Sequence, residues 1–169
     1  MGRRLRMYQA EGVYFVTART FQGRFLIQQV AQANQVIGGV LARAARLTGV
    51  AIHAYVVASN HLHLVCSARD GVLSSFMKYV LGNLSKKLGQ LINWTGSFWG
   101  RRFSAEPIFG PDAEEGLLRY VLSHGVKEGL VRRSEHWPGL ATCLELLQNV
   151  ATKCFPFFRN RSGGGVGDQ

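Results

Sequence analysis

Runs of apolar residues with two distinct periods divide the chain. Val13 to Thr20, VYFVTART, is rich in β-branched and aromatic residues and predicts a first strand. Phe21-Gln22-Gly23-Arg24 follows as a turn. From about Gln28 to Thr48, apolar Val30, Ile37, Val40, Leu41, Ala44 and Leu47 recur at helical spacing. Gly38-Gly39 costs that helix about 1 kcal/mol per glycine relative to alanine, which suggests a close packing contact. Gly49 is placed to cap its end. Val50 to Val57 and His61 to Ser67 then predict two strands joined by the short turn Ala58-Ser59-Asn60, an antiparallel hairpin.

Val72 to about Ile92 predicts a second long helix. Its buried face would carry Leu73, Phe76, Met77, Val80, Leu84, Leu88 and Leu91, and its polar face Lys78, Asn83, Ser85, Lys86 and Lys87. The aromatic, glycine-rich loop Asn93 to Gly100 leads into Arg101 to Ile108, a fourth strand that Pro107 places at a sheet edge. Pro111-Asp112 opens a third helix, with Asp112, Glu114 and Glu115 near its positive end. That helix is expected to end around His124-Gly125, with Val126 to Val131 as a short continuation and Trp137-Pro138-Gly139 as a turn. Leu140 to Val150 reads as another short helix. The order strand, helix, strand, strand, helix, strand, helix predicts an α+β fold: a ferredoxin-like sandwich with an antiparallel sheet of about four strands and helices packed on it. Residues 1–150 are expected to form one domain, and the glycine-rich end, residues 151–169, a disordered tail.

Composition sharpens the picture. Lys and Arg number 20 against 10 Asp and Glu, a formal net charge of +10 on 169 residues. Such an excess points to a polyanionic partner, nucleic acid first and an anionic membrane second. No apolar run is long enough to span a membrane. The basic N-terminus MGRRLRMYQAEG lacks the apolar stretch of a secretory signal. Cys66, Cys143 and Cys154 are odd in number and far apart, which argues for reduced thiols in a cytoplasmic protein.

Three groups of residues carry candidate chemistry. His61 and His63 alternate with Leu62 and Leu64, so in a strand both imidazoles lie on one face, about 6–7 Å apart, where they can share one divalent cation. A lone H-x-H is a weak pattern, and the alternative is a pair without a role. Tyr120 and His124 are four residues apart and share a helix face. A tyrosine beside a metal-bound phosphate can act as nucleophile, and His124 can reach the same cation as a third ligand. The alternative is a core tyrosine like Tyr79 and a histidine that caps a helix. Imidazole nitrogen suits Mn²⁺ or Zn²⁺ better than Mg²⁺. Basic residues form the third group. Arg3, Arg4, Lys86, Lys87, Arg101 and Arg102, with Trp99 beside the last two, are the candidate DNA contacts: arginine next to aromatic rings suits unpaired bases and phosphates. A solvated surface and a core aromatic cluster are the alternative. His53 and His136 read as a strand and a turn residue, and Cys66 as core.

Four blocks in this order resemble the single-tyrosine transposases of the HUH superfamily, and most closely the REP-associated tyrosine transposases. They are VVASNHLHLV (Val56 to Val65), FMKYVLGNLSKKLG (Phe76 to Gly89), FWGRRFSAEPI (Phe98 to Ile108) and LRYVLSHGVKEGLV (Leu118 to Val131), followed by Trp137-Pro138. The resemblance implies a ferredoxin-like fold that binds single-stranded or hairpin DNA. It implies cleavage dependent on a divalent metal ion, Mg²⁺ or Mn²⁺, through a 5′-phosphotyrosine intermediate, then strand transfer. His61 and His63 match the histidine pair and Tyr120 the nucleophile. His124 falls where the family places a polar third ligand, commonly Asn or Gln. After the tyrosine helix the family often reads Asn-Pro-Val, and this chain reads His124-Gly125-Val126.

The expectation is therefore a transposase that nicks and transfers single strands, a bacterial cytoplasmic protein found on the nucleoid when bound to DNA, with no membrane partner. It would act as a monomer or homodimer. The rival from another class is a non-catalytic, domesticated or truncated module that binds DNA hairpins.

Overall fold

A computed structural model describes residues 11–69 and 71–142. The strands are β1 (Glu11–Arg19), β2 (Ala51–Val57), β3 (His61–Arg69) and β4 (Ser104–Ile108). The helices are α1 (Ala31–Thr48), α2 (Val72–Leu91), α3 (Pro111–Leu122) and the single turn α4 (His124–Lys127). The strands form one sheet in the order β2-β3-β1-β4, and every neighbouring pair is antiparallel. With α1 and α2 as the two crossovers, this is the ferredoxin-like α+β arrangement that the order of elements predicts.

Strand alternation sorts the side chains between two cores. Tyr14, Val16, Ala18, Leu62, Leu64 and Cys66 point to one side, where they meet Ile37, Val40 and Leu41 of α1 and Phe76, Met77 and Val80 of α2. Ala54, Val56, Val65 and Ile108 point to the other, where they meet Val121 of α3 and Trp137. The sheet is thus covered on both faces, and α3 lies over β2 and β3 on the second face.

Most predicted elements recur with shifted ends. Val30 is extended, so α1 starts at Ala31, and Val30 and Leu47 are half exposed and not core. Gly38 and Gly39 are buried within α1, and Gly49 closes it in the left-handed conformation. Pro107 lies in β4, the edge strand, as its missing N–H requires. The turn at Phe21–Gly23 is a single 3₁₀ turn with Gln22 at φ 53°.

One expectation is overturned. Leu140–Thr142 do not start a helix but run extended along β2. Val57 N–H donates to the Leu140 carbonyl (2.9 Å), Thr142 N–H to the Tyr55 carbonyl (3.0 Å), and the Thr142 hydroxyl oxygen accepts from Tyr55 N–H (2.6 Å). The outer edge of β2 would otherwise leave those groups unpaired, and pairing them outweighs weak helical periodicity. The rest of the predicted helix and the expected boundary at residue 150 lie outside the described residues.

Candidate metal and nucleophile site

The sheet face under α3 carries His61 and His63. β3 and β1 pair so that His61 stands opposite Arg19 and His63 opposite Thr17. α3 ends at Leu122, where the Ser123 hydroxyl bonds back to the Arg119 carbonyl at 2.7 Å, and the backbone resumes as α4. This break sets His124 at the first position of α4, 2 % exposed, with its ring against both strand histidines. The ring centroids of His61 and His63 are 4.8 Å apart, and His124 is 5.0 Å from each. One nitrogen from each ring lies within 4.8 Å of the others.

The protonation pattern of His61 follows from its neighbours. The Gly23 carbonyl can only accept, so the Asn60 amide nitrogen, 3.1 Å away, must face it. Asn60 Oδ1 then faces His61 Nδ1 at 2.6 Å, and Nδ1 must carry the proton. Nε2 keeps its lone pair and points to His124 Nε2 at 2.9 Å. His63 Nδ1 is engaged by the Thr17 hydroxyl at 2.9 Å, and its ring stacks on Phe15, centroids 5.1 Å apart. His124 Nδ1 is buried and has no hydrogen-bond partner. Hydrogen bonds that hold the far nitrogen of a ring are the usual support of a histidine ligand.

Electrostatics keeps these rings neutral. Burial, then His124 and Arg19, push His61 down to about 4, against an opposing pull from Glu128. Burial, then His61 and His124, push His63 down to about 3. Burial also lowers His124, with Glu128 opposing and Lys127 assisting. Three neutral imidazoles that converge on one point fit a divalent transition cation, whose bonds to histidine nitrogen are about 2.0–2.1 Å for Zn²⁺. Only small ring movements separate this arrangement from a three-nitrogen ligand set.

Tyr120 completes the cluster from α3. Its ring centroid lies 5.6 Å from His63, 5.4 Å from His124 and 6.0 Å from Phe15, all edge-on. Burial, then Glu128, raise its phenol above the ordinary tyrosine value. The Lys127 ammonium sits 4.9 Å from the ring centroid. The tyrosine and the three histidines belong to one chain.

The expected nucleic-acid contacts scatter. Arg101 lines a cleft next to β1, and Arg102 a separate cavity with Lys78 of α2. Lys86 and Lys87 lie on α2, in the helical layer on the opposite side of the sheet from the histidines. Trp99 is half-buried, and its indole N–H donates to the Leu81 carbonyl at 2.9 Å, which anchors its loop to α2. Arg3 and Arg4 lie outside the described residues. His53 bonds Ser67 at a bulge in β2, 2.8 Å, and Cys66 is buried, its thiol pushed up to about 12 by burial.

Solved structures place this architecture. A REP-associated tyrosine transposase bound to a REP hairpin superimposes with a TM-score of 0.73 over 99 % of this chain and all of its own, at 19 % identity. The chain has the fold of a REP-associated tyrosine transposase. A second structure, a putative transposase from Deinococcus radiodurans R1, aligns at a TM-score of 0.47 and 17 % identity over 71 % of this chain and 95 % of its own. No protein-family model matches the chain, and no curated protein matches it.

Sequence reasoning missed Thr17, Asn60, Phe15, Arg19 and Glu128. Glu128 had a visible signal, since Tyr120, His124 and Glu128 recur every four residues. Asn60 sits in the turn directly before His61 and its role was overlooked there; Thr17, Phe15 and Arg19 depend on strand register and carry no local signal. Among the described residues no helix is long and apolar enough to cross a membrane.

Proposed function

We propose that the chain is a transposase that cuts single-stranded or hairpin DNA with Tyr120 as nucleophile, and holds one divalent cation with His61, His63 and His124. The observation that carries this reading is the packing of Tyr120 against a convergent, neutral three-imidazole cluster in the same chain. The hairpin bound to the solved transposase of the same fold, and the net charge of +10, support DNA as the substrate.

In this mechanism Tyr120 Oη attacks a backbone phosphorus, the bond from phosphorus to the 3′ oxygen breaks, and the strand stays attached as a 5′-phosphotyrosine. The phenol is protonated at rest, because burial and Glu128 raise its pKa. It must therefore lose that proton as the new bond forms, and solvent water takes it. Lys127, over the ring, favours the negative charge that develops on the phenol. The departing 3′ oxygen takes up a proton from water. A cation held by the three imidazoles would polarise the phosphate and offset its developing charge. Attack on the phosphotyrosine by another 3′ hydroxyl then transfers the strand and restores the phenol.

The test is a denaturing gel of the protein incubated with labelled hairpin DNA and Mn²⁺ or Mg²⁺. Wild type should give a labelled band at the combined mass, and EDTA should remove it. Tyr120→Phe should lose the band and keep hairpin binding within a few-fold; a His61→Ala/His63→Ala double variant should lose metal-dependent cleavage. A Tyr120→Phe protein that still forms the adduct would refute the mechanism. Hairpin binding by wild type without any adduct would identify a binding module.

A further inference from the structure

Next to His61, on the side away from His63, the end of β1 opens into a cleft of about 410 Å³ lined by Arg19, Thr20, Phe21, Gln22, Gly23, Gly100 and Arg101. Its size falls within the usual range of small-ligand sites, about 300–1,000 Å³. The loop before β4 forms one wall and is zipped to β1: Phe21 N–H donates to the Phe98 carbonyl (2.9 Å) and Gly100 N–H to the Arg19 carbonyl (3.0 Å). Gly100 is needed there, since a β-carbon on it would stand 2.9 Å from the Thr20 carbonyl oxygen.

The lining is cationic and partly aromatic. Arg19 and Arg101 are both exposed, and no acidic residue lines the cleft. The Arg19 guanidinium lies over Gly23, within 3.6 Å of where a β-carbon would be. The cleft is also joined to the histidine cluster. Arg19 is the cross-strand partner of His61, and the Asn60 amide that orients His61 donates to Gly23. Gln22 keeps a left-handed backbone at φ 53°, a conformation that costs a non-glycine residue about 1–2 kcal/mol.

We propose that this cleft seats the unpaired nucleotide adjoining the phosphate cut at the histidine cluster, with its phosphate against Arg19 and Arg101 and its base against Phe21. It rests on the reading of the site as one that acts on DNA. Arginine suits phosphate through paired N–H donors, and an aromatic ring accepts any base by stacking.

The test is fluorescence anisotropy of the full chain with a labelled eight-nucleotide single strand and with a duplex of the same length, over a series of salt concentrations. Arg19→Ala and Arg101→Ala should each weaken single-strand binding about tenfold and flatten the slope of log affinity against log salt by about 0.7, the loss of one phosphate contact. Phe21→Ala should weaken single-strand binding without changing that slope. Duplex binding should stay within twofold in all three. Equal losses on both DNAs, or no loss on the single strand, would overturn the cleft. Should Arg19→Ala unfold, which its circular dichroism would reveal, the exposed Arg101→Ala decides by the same criteria. The adduct assay separates the two readings. Loss of single-strand preference in the variants, beside a wild type that forms no adduct, keeps the cleft and rejects cleavage; adduct formation with unchanged KM in the variants keeps cleavage and rejects the cleft.

Discussion

Asn60 does more for the site than its place in a turn suggests. One side chain satisfies Gly23 with its nitrogen and His61 with its oxygen, and so decides which imidazole nitrogen keeps a lone pair. Without that bond the ring is free to rotate, which turns Nε2 away from His124, or to change tautomer, which puts a proton on Nε2. Asn60→Ala should therefore lower affinity for Mn²⁺ about 10–100-fold, the usual cost of losing such a support, as measured by titration calorimetry. The protein should remain folded, because Thr20 N–H still bonds the Asn60 carbonyl through the backbone. Unchanged affinity would mean that the Phe15, Thr17 and His124 contacts alone hold the cluster. Thr17 plays the parallel part for His63, and its role was hidden because nothing local to VYFVTAR reveals which residue of β3 stands opposite.

At the level of elements, the break between α3 and α4 is what brings Tyr120 and His124 onto the sheet together. Gly125 permits it: a β-carbon there would lie 2.5 Å from the Trp137 ring and 3.1 Å from Val131. Two effects oppose one another in Gly125→Ala. Alanine gains up to about 1 kcal/mol of helix propensity, but forcing a methyl into a packed indole costs about 1–3 kcal/mol. Trp137 is buried in the second core and has little freedom to yield, so the clash wins. Chemical denaturation should show net destabilisation of about 1–2 kcal/mol, with weaker Mn²⁺ binding as His124 is displaced. A more stable variant would show that Trp137 can move aside. The helix itself was visible from its apolar positions and acidic start. Its break was foreseen only as a helix end near His124, because a serine that bonds back to its own helix gives the same pattern as one that does not.

Across the whole molecule, Tyr120 and the three histidines meet within one chain, so under the proposed mechanism a single copy would carry the complete set. A mixture of Tyr120→Phe and His63→Ala proteins should then form no more adduct with hairpin DNA than either alone. Recovery of a substantial share of wild-type adduct would show that the tyrosine of one copy serves the histidines of another. The positive charge is spread over both layers: Arg19 and Arg101 lie near the histidines, while Lys78, Lys86 and Lys87 lie on α2 across the sheet. Under the proposed function, a long DNA would thus meet basic residues well beyond the histidine cluster, and the cleft at Arg19 and Arg101 would be the part of that surface next to it.

What the sequence by itself determined follows from short-range periodicity. A strand repeats every two residues, so His61 and His63 had to share a face. A helix turn covers about four, so Tyr120 and His124 were expected to share a side; they do meet, but across a break in the helix at Ser123. The positions of α1, α2 and the central hairpin, and Pro107 at an edge, rest on equally local rules. Only the tertiary structure decided which face of the sheet α3 covers, that Arg19 and Thr17 stand opposite His61 and His63, and that Leu140–Thr142 complete the edge of β2. Those outcomes depend on which strands pair and in what register. Pairing is chosen by the burial of two whole faces and the pairing of edge groups, and residues far apart along the chain contribute to both.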